Sequence, residues 1–192
     1  MPRWGVVALE IVKTSFSGLV VLKPKRSEDG RGFFCETYNK RRLADAGIDL
    51  TFVQQNLSLS KKKGTVRGLH FQSEPMAQAK LVSVLRGAVC DVVVDLRRSS
   101  ETYGRHFTIL LDEKGTTQLF VPAGFAHGFV TLQPNTLFLY SVSNYYSPRH
   151  EGGIRFDDPT LDIDWGVDES AATLSDRDGA LPRFDRGALY FP

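Results

Sequence analysis

The sequence predicts an all-β fold, a sandwich, jelly roll or barrel with a few short helices and a C-terminal appendage. Many short runs are rich in β-branched and aromatic residues, turn dipeptides separate them, and no helices alternate with them. The chain has 192 residues, of which 42% are hydrophobic, enough for one domain with its own core. We therefore expect a single domain over residues 1–192.

The predicted strands follow one another along the chain. They cover residues 19–22, 32–38, 51–59, 66–71, 81–85, 89–96, 107–111, 118–121, 128–132 and 136–142. The turn signals between them are Asp29-Gly30, Lys63-Gly64, Arg86-Gly87, Lys114-Gly115, Ala123-Gly124 and Pro134-Asn135. A helix is predicted over residues 39–46, because Asn39 can cap its start and Gly47 can end it. Residues 162–178 are acidic and predict a loop with a short helix around residues 169–172.

Charge and cysteine content bear on partners and compartment. A net charge of +2 does not indicate binding to nucleic acid or to a membrane surface. No apolar run approaches the about 18 residues of a membrane span, and Glu10 and Lys13 argue against a signal peptide near the start. Cys35 and Cys90 are predicted to be thiols, although a single disulfide between them stays open. These features predict a cytoplasmic protein.

His70 is the first candidate site residue, at the end of a predicted strand. Alternation places it on the same face as Gly68 and opposite Arg67. Because Gly68 has no side chain, we expect room for a ligand beside His70. A lone histidine in a strand is more often structural, but the nearby Arg67, Gln72 and Lys80 favour a functional site.

His127 lies in the stretch Val-Pro-Ala-Gly-Phe-Ala-His-Gly-Phe, which resembles the second motif of cupins, Pro-x-Gly-x-x-His. Metal-binding cupins also carry a His-x-His pair and a following Glu, whereas His70 is followed by Phe-Gln-Ser. The sequence therefore predicts no metal site. A three-ligand site made of His70, His127 and a distant carboxylate remains an alternative. His106 and His150, among polar and turn residues, are interpreted as surface histidines.

Lysine and tyrosine side chains supply further candidates. Lys80 opens the strand after the His70 loop and is expected at the same end of the barrel, where a cation would stabilise an oxyanion. Tyr140 is predicted on the face opposite Leu139, either as packing or as a phenol that donates a proton in a pocket. Tyr145-Tyr146 is either packing or a stacking platform for a base.

Taken together, these segments resemble the dTDP-4-dehydrorhamnose 3,5-epimerase family over nearly the whole chain. The matching segments are residues 29–34, 52–56, 60–72, 78–82, 89–92, 94–97, 122–129, 138–140, 144–148, 157–159 and 174–178. Each is weak alone, but their order along the chain is a strong signal. The resemblance implies a cupin jelly roll that forms a homodimer and uses neither a metal ion nor a nicotinamide cofactor.

The resemblance also implies roles for individual residues. His70 would be the general base and Asp178 the carboxylate that orients it. Lys80 would hold the ketone oxygen as it becomes an enolate, Tyr140 would return a proton on the opposite face, and Arg67 would grip the diphosphate. The remaining substrate-binding residues would be Gln54, Asn56 and Tyr146 at the nucleotide, His127 beside the sugar, and Arg31, Phe34 and Glu36 reaching in from the partner subunit.

The implied activity is inversion of carbons 3 and 5 of a dTDP-linked 4-keto-6-deoxy hexose, through an enolate. A histidine titrates near neutral pH, and a carboxylate on its far nitrogen raises its basicity. The alternatives are a mono-epimerase at carbon 3 or 5, a keto-isomerase, a non-catalytic cupin that binds sugar nucleotides, and a metal-dependent cupin. Residues 1–8 extend beyond what the family needs and have no functional interpretation.

Overall fold

The computed structural model describes residues 9–192, apart from the side chain of Glu169. The strands are β1 Leu9–Lys13, β2 Val20–Pro24, β3 Arg26–Asp29, β4 Gly32–Cys35, β5 Gln54–Ser60, β6 Val66–Gln72, β7 Lys80–Arg86, β8 Ala88–Asp95, β9 His106–Asp112, β10 Gln118–Val121, β11 Phe125–Thr131, β12 Thr136–Val142 and β13 Glu151–Gly153. The helices are α1 Lys40–Asp45, a 3₁₀ turn Glu169–Ala171 and α2 Asp176–Gly179. The predicted all-β class is confirmed.

Two antiparallel sheets pack face to face. The six-stranded sheet has the order β1-β2-β10-β7-β12-β5, and the five-stranded sheet has the order β13-β6-β11-β8-β9. Strands β3 and β4 form a separate hairpin. The fold is the cupin-type β-sandwich that the sequence predicted.

Strand β8 explains how the C-terminal appendage joins the sandwich. Val89 and Val93 point into the core between the sheets, whereas Val92 and Val94 pack against the appendage. Because both faces of β8 are buried, its sequence is almost continuously apolar rather than alternating. The appendage carries Trp165, the largest fully buried side chain of the described residues. The chain after β13 is thereby held on the outer face of the five-stranded sheet.

The structure adds three strands to the predicted ones. Strand β3 has the sequence Arg-Ser-Glu-Asp and β13 has Glu-Gly-Gly, so neither shows the apolar pattern that marks a strand. Strand β1 lies in a stretch for which the sequence pattern indicates no strand. Several bounds also differ, since β4 ends at Cys35 and β11 begins at Phe125.

The helices are partly as predicted. Helix α1 is confirmed: Asn39 caps it by accepting a hydrogen bond from the Arg42 N–H at 3.3 Å, and Gly47 follows its end with φ of +84°. The short helix near residue 169 is a single 3₁₀ turn. Helix α2 was not predicted, because its four residues offer no helical periodicity.

Three other observations concern the whole chain. None of the helices within residues 9–192 is long and apolar enough to cross a membrane. Cys35 and Cys90 are both free, so the alternative of a disulfide between them is wrong. Residues 1–8, which had no functional interpretation, lie outside the described residues.

Candidate active site

A cavity of about 470 Å³ opens between the two sheets at the end where β5, β6, β11 and β12 meet the appendage. Most of the predicted site residues line it. They are His70, Asp178, Tyr140, Lys80, Arg67, Gln54, Asn56, His127 and Tyr146. Residues from both sheets and from α2 thus converge on one space large enough for a small ligand.

The two faces predicted for β6 are wrong at this point. Arg67 and His70 both line the cavity, because the pairing of β6 with β11 shifts register between His127 and Phe129. Gly68, with φ of +104°, is part of this irregularity. A Cβ at Gly68 would lie 2.6 Å from the carbonyl oxygen of His127, so the expected room for a ligand is filled by the backbone of β11.

His70 and Asp178 form the closest polar pair in the cavity. The Nε2 of His70 donates to Asp178 Oδ1 at 2.6 Å, which leaves Nδ1 with the lone pair. Burial alone would raise the pKa of Asp178, but hydrogen bonds from His70 and from the Gly68 N–H outweigh it and lower the pKa. Asp178 is therefore an ionised carboxylate that accepts from Nε2 and fixes the tautomer of His70.

Lys80 is buried beside this pair, with only 8% of its surface exposed. Its Nζ donates to the backbone carbonyl of His70 at 3.2 Å. Burial lowers the pKa of Lys80 to about 8, against the opposing effect of the charges on Asp91 and Glu151. Lys80 is thus a cation held in a poorly solvated position, as a stabiliser of a developing negative charge requires.

Tyr140 enters the cavity from β12, on the same face as Phe138 and opposite Leu139, as predicted. Burial raises its pKa, although the charge of Arg67 and a hydrogen bond from Asn56 work against the rise. Asn56 is itself held by Gln54, whose Nε2 donates to Asn56 Oδ1 at 2.9 Å. Tyr140 therefore keeps its proton throughout the neutral pH range.

His127 is paired with a carboxylate that the sequence interpretation missed. Its Nε2 lies 3.0 Å from Asp91 Oδ2, and its ring stacks on Phe138. Asp91 is fully buried on the inner face of β8, between Val89 and Val93. The sequence signal for Asp91 is a charged residue inside an apolar run, because a carboxylate buried there needs a partner.

Two more residues at the cavity edge were also missed. Arg177 pairs with Glu151, and the Tyr146 hydroxyl donates to Glu151 at 2.5 Å. Burial would raise the pKa of Glu151, but the hydrogen bonds from Tyr146 and Arg177 lower it overall. The pairing of Arg177 with Glu151 could not be predicted, because Glu151 lies on β13 and the sequence pattern does not indicate that strand.

Three predicted substrate-binding residues are not at the cavity of their own chain. They are Arg31, Phe34 and Glu36. Arg31 contacts Asp29 across the β3–β4 turn, and Glu36 pairs with Arg42 of α1. Their expected reach into a partner subunit stays a prediction.

Two histidines were expected at the surface. His106 and His150 are half-buried rather than exposed, and neither lines the cavity.

The alternative of a metal site concerns His70 and His127. Among residues 9–192, no three side chains of His, Cys, Asp or Glu are grouped as metal ligands. In the alternative metal site, His70 and His127 would share one ion, but each turns Nε2 to a different carboxylate. The absence of a metal ion stays a prediction.

The fold and the cavity define a class of protein, a cupin-type β-sandwich with a histidine–carboxylate pair, a lysine and a tyrosine in one cavity. A family model described as dTDP-4-dehydrorhamnose 3,5-epimerase matches residues 13–186. The chain belongs to the dTDP-4-dehydrorhamnose 3,5-epimerase family.

Individual relatives agree with this assignment. The enzyme of that name from Salmonella typhimurium is 43% identical over 180 residues, which are 93% of this chain and 97% of the relative. The crystal structure of the Bacillus anthracis enzyme with TDP and PPi bound has a TM-score of 0.90 and 45% identity, covering 92% of this chain and all of the other. The Legionella pneumophila enzyme in complex with dTDP-4-keto-L-rhamnose has a TM-score of 0.86 and 40% identity, covering 93% and 100%.

Proposed function

We propose that this isomerase inverts carbons 3 and 5 of a dTDP-linked 4-keto-6-deoxy hexose, without a metal ion or another cofactor. The observation that carries the proposal is the hydrogen bond between His70 and Asp178 in a cavity that also holds Lys80 and Tyr140. The bound TDP and dTDP-4-keto-L-rhamnose of the two similar structures support the choice of substrate.

The first step is removal of a proton from a carbon beside the ketone. His70 Nδ1 takes the proton, and the ionised Asp178 stabilises the imidazolium that forms. General base assistance of this kind is worth about 100- to 10,000-fold in rate. The electron pair moves to the ketone oxygen, where Lys80 stabilises the enolate, an effect typically worth about 3 kcal/mol.

The second step returns a proton to the opposite face of the same carbon. The Tyr140 hydroxyl donates it, and the phenolate recovers a proton from solvent, while His70 releases the one it took. The raised pKa of Tyr140 supports this role, because the phenol is then protonated when the enolate forms.

The substrate is held by the remaining residues of the cavity. Arg67 carries the charge for the diphosphate, and its Nε is oriented by donating to Ser60 Oγ at 3.2 Å. His127, fixed by Asp91, supports the reacting sugar. The nucleotide would contact Gln54, Asn56 and Tyr146 from this chain, with Arg31, Phe34 and Glu36 added by a partner subunit.

The homodimer is part of the proposal. Leu57 and Leu59 are 59% and 44% exposed on the outer side of β5, an edge strand, and Leu85 of β7 is 51% exposed. Large apolar side chains on one sheet face favour burial against a second copy. We expect sedimentation equilibrium to give twice the chain mass of 21.4 kDa. A mass of one chain at micromolar concentration would contradict the dimer.

We also place the enzyme in the cytoplasm. The support is that Cys35 and Cys90 are free thiols, as is usual in a reducing compartment. Fractionation of cells that make the untagged protein should recover the epimerase activity with cytoplasmic marker enzymes. Recovery in an extracytoplasmic fraction would overturn the assignment.

The test of the proposed activity is proton-exchange NMR of dTDP-4-keto-6-deoxyglucose in heavy water. We expect deuterium at carbons 3 and 5, and the inverted sugar as product. Label at one carbon alone would make the protein a mono-epimerase, and a product whose ketone, located by NMR before reduction, has moved from carbon 4 would make it a keto-isomerase. Exchange that is no faster than in a sample without protein would indicate a protein that only binds the sugar nucleotide. Loss of exchange when a chelator is added would indicate a metal-dependent enzyme.

The pKa of Lys80 predicts how the rate depends on pH. Burial lowers this pKa to about 8, and only the protonated amine stabilises an enolate. We therefore expect kcat/KM to fall about tenfold per pH unit above about pH 8, rather than only above pH 10. In Lys80→Arg, whose guanidinium keeps its charge, the rate should be lower but this decline should vanish. A wild-type profile that is flat to about pH 9.5 would contradict the assignment of Lys80.

A further inference from the structure

The position of Asp178 depends on a segment with little structure of its own. Helix α2 has four residues, which is too short to be stable without tertiary contacts. Ser175 caps it by accepting a hydrogen bond from the Asp178 N–H at 3.1 Å. On the cavity side, Arg177 is held by Glu151 of β13. Neither contact holds the C-terminal end of α2, which lies away from the cavity.

Arg155 makes that contact from outside the cavity. Its Nε and Nη2 donate to the two carboxylate oxygens of Asp157 at 2.7 and 2.6 Å, which fixes the plane of the guanidinium. The remaining nitrogen, Nη1, donates to the carbonyl oxygen of Gly179, the last residue of α2, at 3.0 Å. The Arg155 N–H also donates to the Pro182 carbonyl at 2.8 Å.

The same stretch of chain connects Arg155 to His70. Gly153 pairs with His70 across β13 and β6, and Arg155 follows two residues later. A Cβ at Gly153 would lie 2.7 Å from Leu181, so the chain after α2 lies directly on β13. Strand β13 therefore contacts both the strand that carries His70 and the chain that follows α2.

We propose that Arg155, oriented by Asp157, is a positioning residue that holds the end of α2 so that Asp178 stays in hydrogen-bond contact with His70. This inference rests on the proposed role of His70 as the base. A displacement of about 1 Å in a catalytic group costs on the order of 100-fold in rate. Because Arg155 does not line the cavity, its loss should slow the chemistry without weakening substrate binding.

The balance between kcat and KM separates this role from general support of the fold. His70 and Asp178 line the cavity, whereas Arg155 and Asp157 do not. Displacement of Asp178 should slow proton removal by His70 in the enzyme–substrate complex, but it should leave the contacts that bind the nucleotide in place. We therefore expect Arg155 variants to lower kcat with little change in KM, whereas a general loosening of the fold would raise KM as well.

The experiment compares Arg155→Met with Arg105→Met, which changes an exposed arginine before β9 that does not line the cavity. We expect kcat to fall about 10- to 100-fold in Arg155→Met, with KM within about twofold. Arg105→Met should match the wild type. Arg155→Lys keeps one donor for Gly179 but loses the paired hydrogen bonds to Asp157, so its rate should lie in between. If Arg155→Met fails to fold, the milder change Asp157→Asn should lower kcat and leave KM unchanged in the same way.

A double-variant comparison gives the decisive result. Asp178→Asn alone should lower kcat on the order of 10,000-fold, and adding Arg155→Met should lower it no further, because both changes act on one contact. Additive losses, or an Arg155→Met variant whose KM rises as much as its kcat falls, would overturn the positioning role. A wild-type enzyme without proton exchange would instead overturn the proposed function itself.

Discussion

The variant His70→Ala should lose deuterium incorporation at carbons 3 and 5 together, by about 100- to 10,000-fold. His70 and His127 each turn Nε2 to a carboxylate, but the side chain of His70 is 27% exposed at the cavity and that of His127 only 7%, so we expect His70 to serve as the base at both carbons. Exchange followed by NMR in heavy water measures each carbon separately in the same sample. A loss at one carbon alone would mean that a second base acts at the other.

Two controls make the His70 result specific. His106→Ala removes a half-buried histidine of β9 that does not line the cavity, and its exchange rate should equal that of the wild type. Affinity for dTDP, measured by calorimetry, should be unchanged in His70→Ala, because the nucleotide is proposed to contact other residues. An unchanged exchange rate in His70→Ala would remove the basis for the mechanism.

The sandwich could be predicted because local sequence and tertiary burial agree. Strands β10 and β12 have the predicted bounds, since turn residues flank clear apolar runs. Strands β3 and β13 could not be predicted in the same way. They are held by backbone pairing with a neighbour, and pairing of this kind leaves no apolar pattern in charged or glycine-rich residues.

A site residue could be predicted from the sequence only where its residue type and its neighbours in the chain indicated a chemical role. His70 and Lys80 lie ten positions apart and meet at one end of the barrel. Asp178 stands 108 positions after His70, so no spacing rule connects them, and the family resemblance alone suggested the pair. Alternation along β6 predicted the wrong face for Arg67. The strand has a register shift, and one irregular position exchanges the two faces of a strand.

The variant Tyr140→Phe is expected to separate proton exchange from inversion. The ring that packs beside Phe138 is kept and only the hydroxyl is lost, so the cavity wall should change little. His70 can still form the enolate and return a proton to the face it came from. Deuterium incorporation should therefore continue, while formation of the inverted sugar falls about 100- to 10,000-fold.

Both quantities are measured in one heavy-water reaction, exchange by NMR of the substrate and inversion by trapping the product through reduction. Tyr103→Phe is the matched control, because its hydroxyl donates to the Ala188 carbonyl at 3.2 Å, away from the cavity. It should leave both rates unchanged. Equal losses of exchange and inversion in Tyr140→Phe would mean that the hydroxyl orients the sugar rather than donating the proton.

Because burial raises the pKa of Tyr140, the protonated phenol is available over the whole neutral pH range. The ratio of inversion to exchange in the wild type should therefore not change with pH in that range.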